Sequence, residues 1–315
     1  MSRLVDCDVV IVGGGVAGLA AAIDLRRRAF RVTVLEATAG AGRDLDGICG
    51  LIGTEGRAAL ARLLGEEDTA ALVAPATSPT GAADTLPDGL GTLTPGSFAE
   101  TLSRRARERG VDLREGVAAT SASETEAGYR VTCAPGYGIA GRLMAVTAGP
   151  ARGEVASWLG VSVAVTPAVS LRMKLRPDRI TPDGARTRPT DVVIAEDGRV
   201  VLRGTPDGGW LAALHMDGSV AASAAGAAAA AAAPVAPLGA DQITAAAARV
   251  TAALPDTAGQ LLTRMWRIAG QTPDAPVDAR AIAGKPGLFV ADAGGGWDMG
   301  AALIAGERLA ALLAG

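Results

Sequence analysis

The sequence predicts an α/β fold: a Rossmann-like domain on a parallel sheet, joined to a second domain on a mostly antiparallel β-sheet. Three observations carry this. An apolar strand, a glycine-rich turn, a helix and a second apolar strand follow one another from Val9 to Leu35. An apolar strand, a glycine loop and a helix recur at Leu288–Leu313. Between Trp158 and Met216 the pattern alternates and is broken by turn signals.

The chain has 315 residues, enough for one large or two moderate domains with a real core. Its net charge of −3 offers no basic footprint for nucleic acid. The three cysteines, Cys7, Cys49 and Cys133, are odd in number and form no CxxC. Neither a disulfide framework nor a metal site is expected, and a reducing cytoplasm fits. The N-terminus runs directly into the first strand without the regions of a signal peptide. The most apolar run, Ala221–Val235, is nearly all alanine and too short to span a bilayer. A cytoplasmic location without membrane insertion is therefore expected; nothing in the sequence sets the oligomeric state.

Val9–Val12 reads as a buried parallel strand, Val16–Arg28 as a helix and Val32–Leu35 as the next strand, a βαβ unit. Gly40–Gly96 is poorly periodic, with one expected helix at Gly56–Leu64. Ser97 and Glu100 have capping-box spacing before a helix whose apolar face is Phe98, Leu102 and Ala106 and which Gly110 ends. Val111–Leu113, Tyr129–Cys133 and Leu143–Thr147 read as strands. Val161–Val165, Ser170–Leu175, Asp191–Ile194, Val200–Arg203 and Trp210–Leu214 form the alternating set. Ser219–Pro237 is low-complexity alanine. Asp241–Leu254 is a helix stopped by Pro255, and Gly300–Leu313 is the terminal helix. These elements divide the chain into residues 1–159, with a cap-like segment at 44–95, a substrate domain at 160–266, and a returning part of the first domain at 267–315.

The chemistry starts at Gly13-Gly14-Gly15-Val16-Ala17-Gly18. Gly13 permits the tight turn, Gly15 lets the backbone approach a pyrophosphate, and Gly18 lets helix and strand pack closely. The helix N-terminus then presents free N–H groups to phosphate. Glu36 ends the second strand, where a carboxylate accepts ribose hydroxyls. A second match, Gly136-Tyr137-Gly138-Ile139-Ala140-Gly141, is followed by strand-like Arg142–Thr147 rather than a helix, so it reads as a hairpin turn. One dinucleotide site is therefore expected. Glu36 disfavours the 2′-phosphate of NADP, leaving NAD or FAD. The C-terminal strand, ending at Asp292 with glycines before the Gly300 helix, brings a second acid and helix start back to the cofactor. NAD needs no such return, whereas the longer FAD does; FAD is the expected cofactor.

The sequence resembles the D-amino-acid-oxidase-like family of FAD oxidoreductases, which includes glycine and sarcosine oxidases. The likeness runs through VVIVGGGVAGLAAAIDLRRRAFRVTVLEA, GTLTPGSFAETLSRRARERGVDLREGV, LMAVTAGP, LGVSVAVTP, VVLRGTPDGGWL, TPDAPVD and GLFVADAGGGWDMGAALIAGERLAALL. It implies an FAD-binding domain of glutathione-reductase type. In it Gly13, Gly15, Gly18 and Glu36 hold the ADP half, with Gly14, Val16, Ala17 and Ala37 beside them. Gly42 and Arg43 would lie by the pyrophosphate or flavin, Val117 (or Ala119) by adenine, and Ala148 and Gly149 on the FAD. Asp292, Gly300 and Ala301 would face the ribityl and pyrophosphate.

Two features depart from the family pattern. The family carries an arginine shortly before the TPD segment to grip a substrate carboxylate; Ala269 stands there, with Arg267 and Gln271 close by. The stretch from Arg43 to Phe98 is also short. A second resemblance competes: AGRDLDGICGLIGTEGRAALARLLG is similar to geranylgeranyl-reductase-like flavoproteins, where a Cys-Gly pair lies near the flavin. Cys49 is thus either a flavin contact or a small buried apolar residue. Trp297, Asp298 and Met299 either line the pocket or only close the loop. Arg203 either pairs with an acid or solvent, or binds a carboxylate; His215, the only histidine, reads as structural or surface. The favoured expectation is oxidation of an amine or amino acid by hydride transfer to flavin N5. An NAD(P)H-dependent reductase or hydroxylase, and a non-enzymatic flavin-binding protein, are the alternatives.

Overall fold

The computed structural model describes residues 4–38, 49–79, 86–134, 136–163, 167–176, 187–215, 239–258, 260–271, 276–294 and 297–315. β1 (Leu4–Val12) and β2 (Val32–Glu36) are parallel neighbours linked by α1 (Val16–Arg27). Val9, Val10 and Ile11 are fully buried, because both faces of the sheet are covered. That is why this strand reads as a continuous apolar run rather than an alternation. β6 (Asp112–Glu115) extends the sheet beyond β2, and β9 (Tyr137–Val146) lies parallel to β1 on its other side. β16 (Leu288–Asp292) then lies parallel to β9, and β15 (Asp278–Ala281) runs antiparallel at the edge. β7 (Ala119–Thr125) and β8 (Gly128–Cys133) hang from β9 as an antiparallel extension, completing eight strands.

One face of this sheet is covered by α1, α4 (Pro95–Glu108) and α7 (Met299–Leu313) through a core that includes Val9, Ile11, Leu19, Ile23, Phe98, Leu102, Leu303 and Leu309. The other face buries Val10, Val12, Met144, Val146 and Val290 against Val131 of the extension and Val155 of α5 (Arg152–Ser157). Removing each such Leu, Ile or Val from water contributes about 1.5–3 kcal/mol. This packing, rather than capping, holds α1: no described side chain caps its N-terminus.

The second sheet runs β11 (Val192–Ala195), β12 (Val200–Gly204), β13 (Trp210–His215), β10 (Pro167–Arg176) and β14 (Leu261–Gln271), every neighbour antiparallel. Leu171, Met173, Leu202, Ala212 and Leu214 pack under α6 (Ala240–Ala253). The opposite face, with Val192, Val201, Leu211 and Ala213, meets Cys49, Leu51 and Leu90. These belong to a small sheet of β3 (Leu51–Ile52), β5 (Gly91–Leu93) and β4 (Val73–Pro75), flanked by α2 (Thr54–Leu64) and α3 (Glu66–Leu72).

Several elements differ from the sequence expectation. The supposedly irregular Gly40–Gly96 holds α3 and three short strands besides α2. Gly65, at φ +100°, ends α2 and restarts the chain as α3, and strands of two or three residues leave no period to read. α4 begins at Pro95, with Thr94 rather than Ser97 at the cap position, because the fixed φ of proline suits the first helical residue. β7 was not foreseen because it is largely solvent-exposed and polar, ATSASET. β14 was missed because LLTRMWRIAGQ does not alternate; the expected boundary after Trp266 falls inside it. Val161–Val163 belongs to no strand; Ala164, Val165 and the alanine run Ser219–Pro237 lie outside the described residues. The second glycine cluster lies in the β8–β9 hairpin, as its sequence implies.

α2 and α7 cross at a glycine pair. A Cβ on Gly56 would lie 2.4 Å from the Cα of Gly300 and 3.0 Å from Cγ1 of Ile52. The first contact is with backbone, which a rotamer change cannot relieve. Gly56→Val is expected to cost roughly 1–3 kcal/mol by overpacking, read as a lower urea midpoint; an unchanged midpoint would show that the crossing is not tight.

Candidate active site

The first site forms where β1 turns into α1. Gly13 adopts φ +115°, and a Cβ there would sit 2.5 Å from the carbonyl carbon and oxygen of Thr147. A Cβ on Gly18 would sit 2.1 Å from the carbonyl oxygen of Gly13. Thr147 binds this turn: its Oγ1 donates to the Gly13 carbonyl at 2.7 Å, and its N–H donates to Val12 at 2.9 Å. Gly15 is the opposite case, since a Cβ on it would meet nothing within 4 Å. The turn is thus tightly packed at Gly13 and Gly18 and open at Gly15. There the first-turn N–H groups of α1, from Val16 and Ala17 onward, begin without a side-chain cap.

Glu36 stands beside this opening. Its Oε2 accepts the Gly14 N–H at 2.8 Å and its Oε1 accepts that of Thr38 at 2.9 Å. Ala37 is exposed next to it, and the Val117 N–H donates to the Glu36 carbonyl at 2.9 Å. Ala148 and Gly149 follow Thr147 at the end of β9; Gly149 has φ +52° and open space at its Cβ position. One corner therefore gathers Gly13–Gly18, Glu36, Val117, Ala148 and Gly149. Gly42 and Arg43 lie outside the described residues.

Asp292, at the end of β16, is held by a residue that the sequence reading missed. Nη2 of the buried Arg152 lies 2.7 Å from its Oδ2, and Nη1 donates to the Gly149 carbonyl at 3.0 Å. Burial pushes the Arg152 pKa down while Asp292 pulls it up, so the carboxylate is what makes the buried cation tolerable. Asp292 also accepts the Gly294 N–H at 3.1 Å. The only sequence signal was an arginine just beyond the glycine turn of LMAVTAGPAR.

The start of α7 differs from that of α1. Asp298 caps it, its Oδ1 accepting the Gly300 N–H at 2.7 Å. The same carboxylate accepts the Gly53 N–H, at 3.2 Å to Oδ1 and 3.3 Å to Oδ2, joining the starts of α7 and α2. Gly300 therefore has a bonded N–H and faces Gly56, with Ala301 next on the helix. Met299 is buried. Trp297 packs on the Cys49 cluster and over the β11–β12 turn, where a Cβ on Gly198 would lie 2.9 Å from its Nε1.

The remaining candidates sit on the face of the antiparallel sheet towards Cys49. Cys49 is buried, and burial pushes its thiol pKa up despite the nearby Arg172 and Arg203 guanidiniums. Arg203 donates to the carbonyls of Cys49 at 2.7 Å, Leu93 at 2.5 Å and Pro189 at 2.9 Å. Among the described residues it forms no ion pair with an acid, and through these bonds it ties the small sheet to the antiparallel one. His215 Nδ1 lies 3.2 Å from the hydroxyl of the buried Ser170. Arg172, on the same strand, was not singled out from the sequence.

A family model described as DAO, FAD-dependent oxidoreductase, matches residues 8–54 and 43–312. The chain belongs to this family. Glycine oxidase from Geobacillus kaustophilus superposes with a TM-score of 0.69 at 18% identity, covering 98% of this chain and 94% of that one. L-Proline dehydrogenase from P. horikoshii gives 0.71 at 15% identity, covering 99% and 94%. A geranylgeranyl bacteriochlorophyll reductase-like protein from Thermoplasma acidophilum gives 0.66 at 14%, covering 99% and 79%. At these identities the likeness establishes the fold. No curated protein matches the sequence. The protein is an FAD-dependent oxidoreductase, and the described residues fit that cofactor: an uncapped helix start, an open glycine and a strand-end carboxylate share one corner. Among the described residues no helix is long and apolar enough to cross a membrane, and no group of His, Cys, Asp and Glu could hold a metal ion.

Burial raises the Asp298 pKa, and the Gly300 and Gly53 N–H groups oppose the shift. A carboxyl with a raised folded-state pKa binds a proton more tightly folded than unfolded, so its ionisation lowers stability as pH rises through that value. Asp298→Asn keeps the acceptor and should remove this fall, while Asp298→Ala should cost about 1–2 kcal/mol at neutral pH and more at acid pH. Thermal midpoints from acid to neutral pH check this; equal losses in both variants would contradict the cap.

Proposed function

We propose that the protein oxidises a small amine or amino acid, with the ADP half of FAD at the β1–α1 corner and the substrate against the antiparallel sheet. The observation that carries the reading is the contrast between helix starts: α1 is uncapped and open at Gly15, whereas Asp298 has taken the Gly300 N–H of α7. In this reading the first-turn N–H groups of α1 bind the pyrophosphate, and Glu36 turns towards the ribose hydroxyls while keeping its place beside Gly14. Val117 borders the adenine. Arg152 and the Gly294 N–H fix the Asp292 carboxylate at the end of β16, on the side where the ribityl chain would run. Bound FAD supplies the chemistry by accepting a hydride at N5.

What the chain supplies is orientation and exclusion of water. In this reading an apolar substrate side favours the neutral amine, from which a hydride can leave, over a hydrated ammonium. Reduction by NAD(P)H has less support. Gly136–Gly141 spans the β8–β9 hairpin and so offers no second helix start for a nicotinamide dinucleotide.

Mixed anaerobically with the purified yellow protein, a small secondary amine or neutral amino acid should bleach the flavin band, and NADPH should not. Rapid bleaching by NADPH with no response to an amine panel would replace this reading with the reductase. Silence towards both would favour a flavin-binding protein without catalysis.

A further inference from the structure

We infer that Arg172 is a specificity-determining residue that anchors a carboxylate of the substrate, held on the Cys49 side of the antiparallel sheet. The inference rests on the proposed reading of that face as the substrate side and names the chemical group recognised there. Three observations support it.

The first is position. β10 is an interior strand, between β13 and β14. Arg172 pairs with Ala213 on one side and with Trp266 on the other. Strand alternation separates it from Leu171 and Met173, which lie in the core under α6, and puts it with Ala213 on the face towards Cys49. Arg267, the nearby arginine noted from the sequence, pairs in the ladder with Leu171.

The second is an unmet demand for hydrogen bonds. Nε and Nη1 of Arg172 are both buried and have no partner. Arg203, on the same face, donates through Nε and Nη1 to the carbonyls of Cys49, Leu93 and Pro189. One guanidinium is therefore built into the scaffold, and the other is left with donors unspent. Native folds rarely leave such groups unpaired without a use for them.

The third is charge. Among the described residues no carboxylate forms an ion pair with Arg172, and the titratable group that faces it is the Cys49 thiol. Burial raises the pKa of that thiol, so at neutral pH it is uncharged and does not neutralise the guanidinium. Burial also pushes the Arg172 pKa down, yet an arginine remains protonated in a protein. A planar cation with open donors in an apolar wall calls for a planar anion with two acceptor oxygens, which is a carboxylate.

The test uses the FAD-loaded protein, with benzoate as a non-oxidisable carboxylate and benzamide as its neutral counterpart of the same shape. Binding is followed by perturbation of the flavin absorption band and, independently, by calorimetry. Arg172→Met should raise the benzoate Kd roughly 30- to 150-fold, the loss of a charged hydrogen-bonded contact. Arg172→Lys should recover part of that loss. The benzamide Kd should change by less than about twofold in either, since no charge is involved. The thermal midpoint of Arg172→Met without ligand should hold or rise, because a buried unpaired charge has been removed. Should Arg172→Met fail to fold, Arg172→Gln takes its place in the same titrations. Benzoate binding unchanged in the neutral variant, or no benzoate binding by the native protein, would overturn the inference. The outcome is separable from the amine reading. Amine bleaching with unchanged benzoate affinity in Arg172→Met would sink the anchor alone. Benzoate affinity that depends on Arg172, without amine bleaching, would sink amine oxidation alone.

Discussion

The contact on which the rest of the site depends is the close approach of β9 to the β1–α1 turn. The Thr147 hydroxyl donates to the Gly13 carbonyl, and the missing Cβ atoms of Gly13 and Gly18 leave room for it. Without that approach the ends of β1 and β9 would separate, and Ala148, Gly149 and Arg152 would not stand over the same corner as Gly15. Arg152 continues the chain of contacts to β16 through Asp292, so three neighbouring parallel strands end on one connected set of groups. Ligands in open parallel sheets bind beyond the carboxyl ends of the strands, and here that region is assembled by two hydrogen bonds and one buried ion pair.

The two principal helices of this domain divide the work of their N-termini. α1 leaves its donors open, and stability comes from its apolar face. α7 spends its Gly300 donor on Asp298, which also holds Gly53 and so fixes α2 and the small sheet against it. An open helix end costs stability unless something satisfies it; the open start of α1 stands beside the Glu36 carboxylate at the carboxyl ends of the parallel strands, whereas the capped start of α7 is a joint. The antiparallel sheet repeats the distinction with its arginines: Arg203 is a joint between sheets, while Arg172 has donors to give.

The sequence made the parallel core legible because its signals are local. Val9–Val12, the glycine run and Glu36 lie within one βαβ unit. The segment around Leu51, Val73 and Gly91 was not legible, since its strands are too short to show a period and pair through contacts distant in sequence. The same limit hid Thr147, Arg152 and Arg172. An isolated threonine or arginine carries no pattern, and its importance appears only when folding sets it against Gly13, Asp292 or Cys49. Asp298 and Gly300 were singled out for contact with the pocket and the FAD; what the structure shows at them is capping and helix crossing.

The account rests most directly on Gly15, whose vacant side-chain position is taken to belong to the cofactor. Replacing it with valine fills space that no protein atom occupies, at a position whose φ of −68° any residue can adopt. The deciding measurement is the FAD dissociation constant of Gly15→Val beside the thermal midpoint of the same protein stripped of cofactor. The account predicts a cofactor-free midpoint within a few degrees of the native one and FAD affinity weakened by at least about 100-fold, since a side chain would stand where the pyrophosphate approaches. A folded Gly15→Val protein that binds FAD as the native chain does would contradict it.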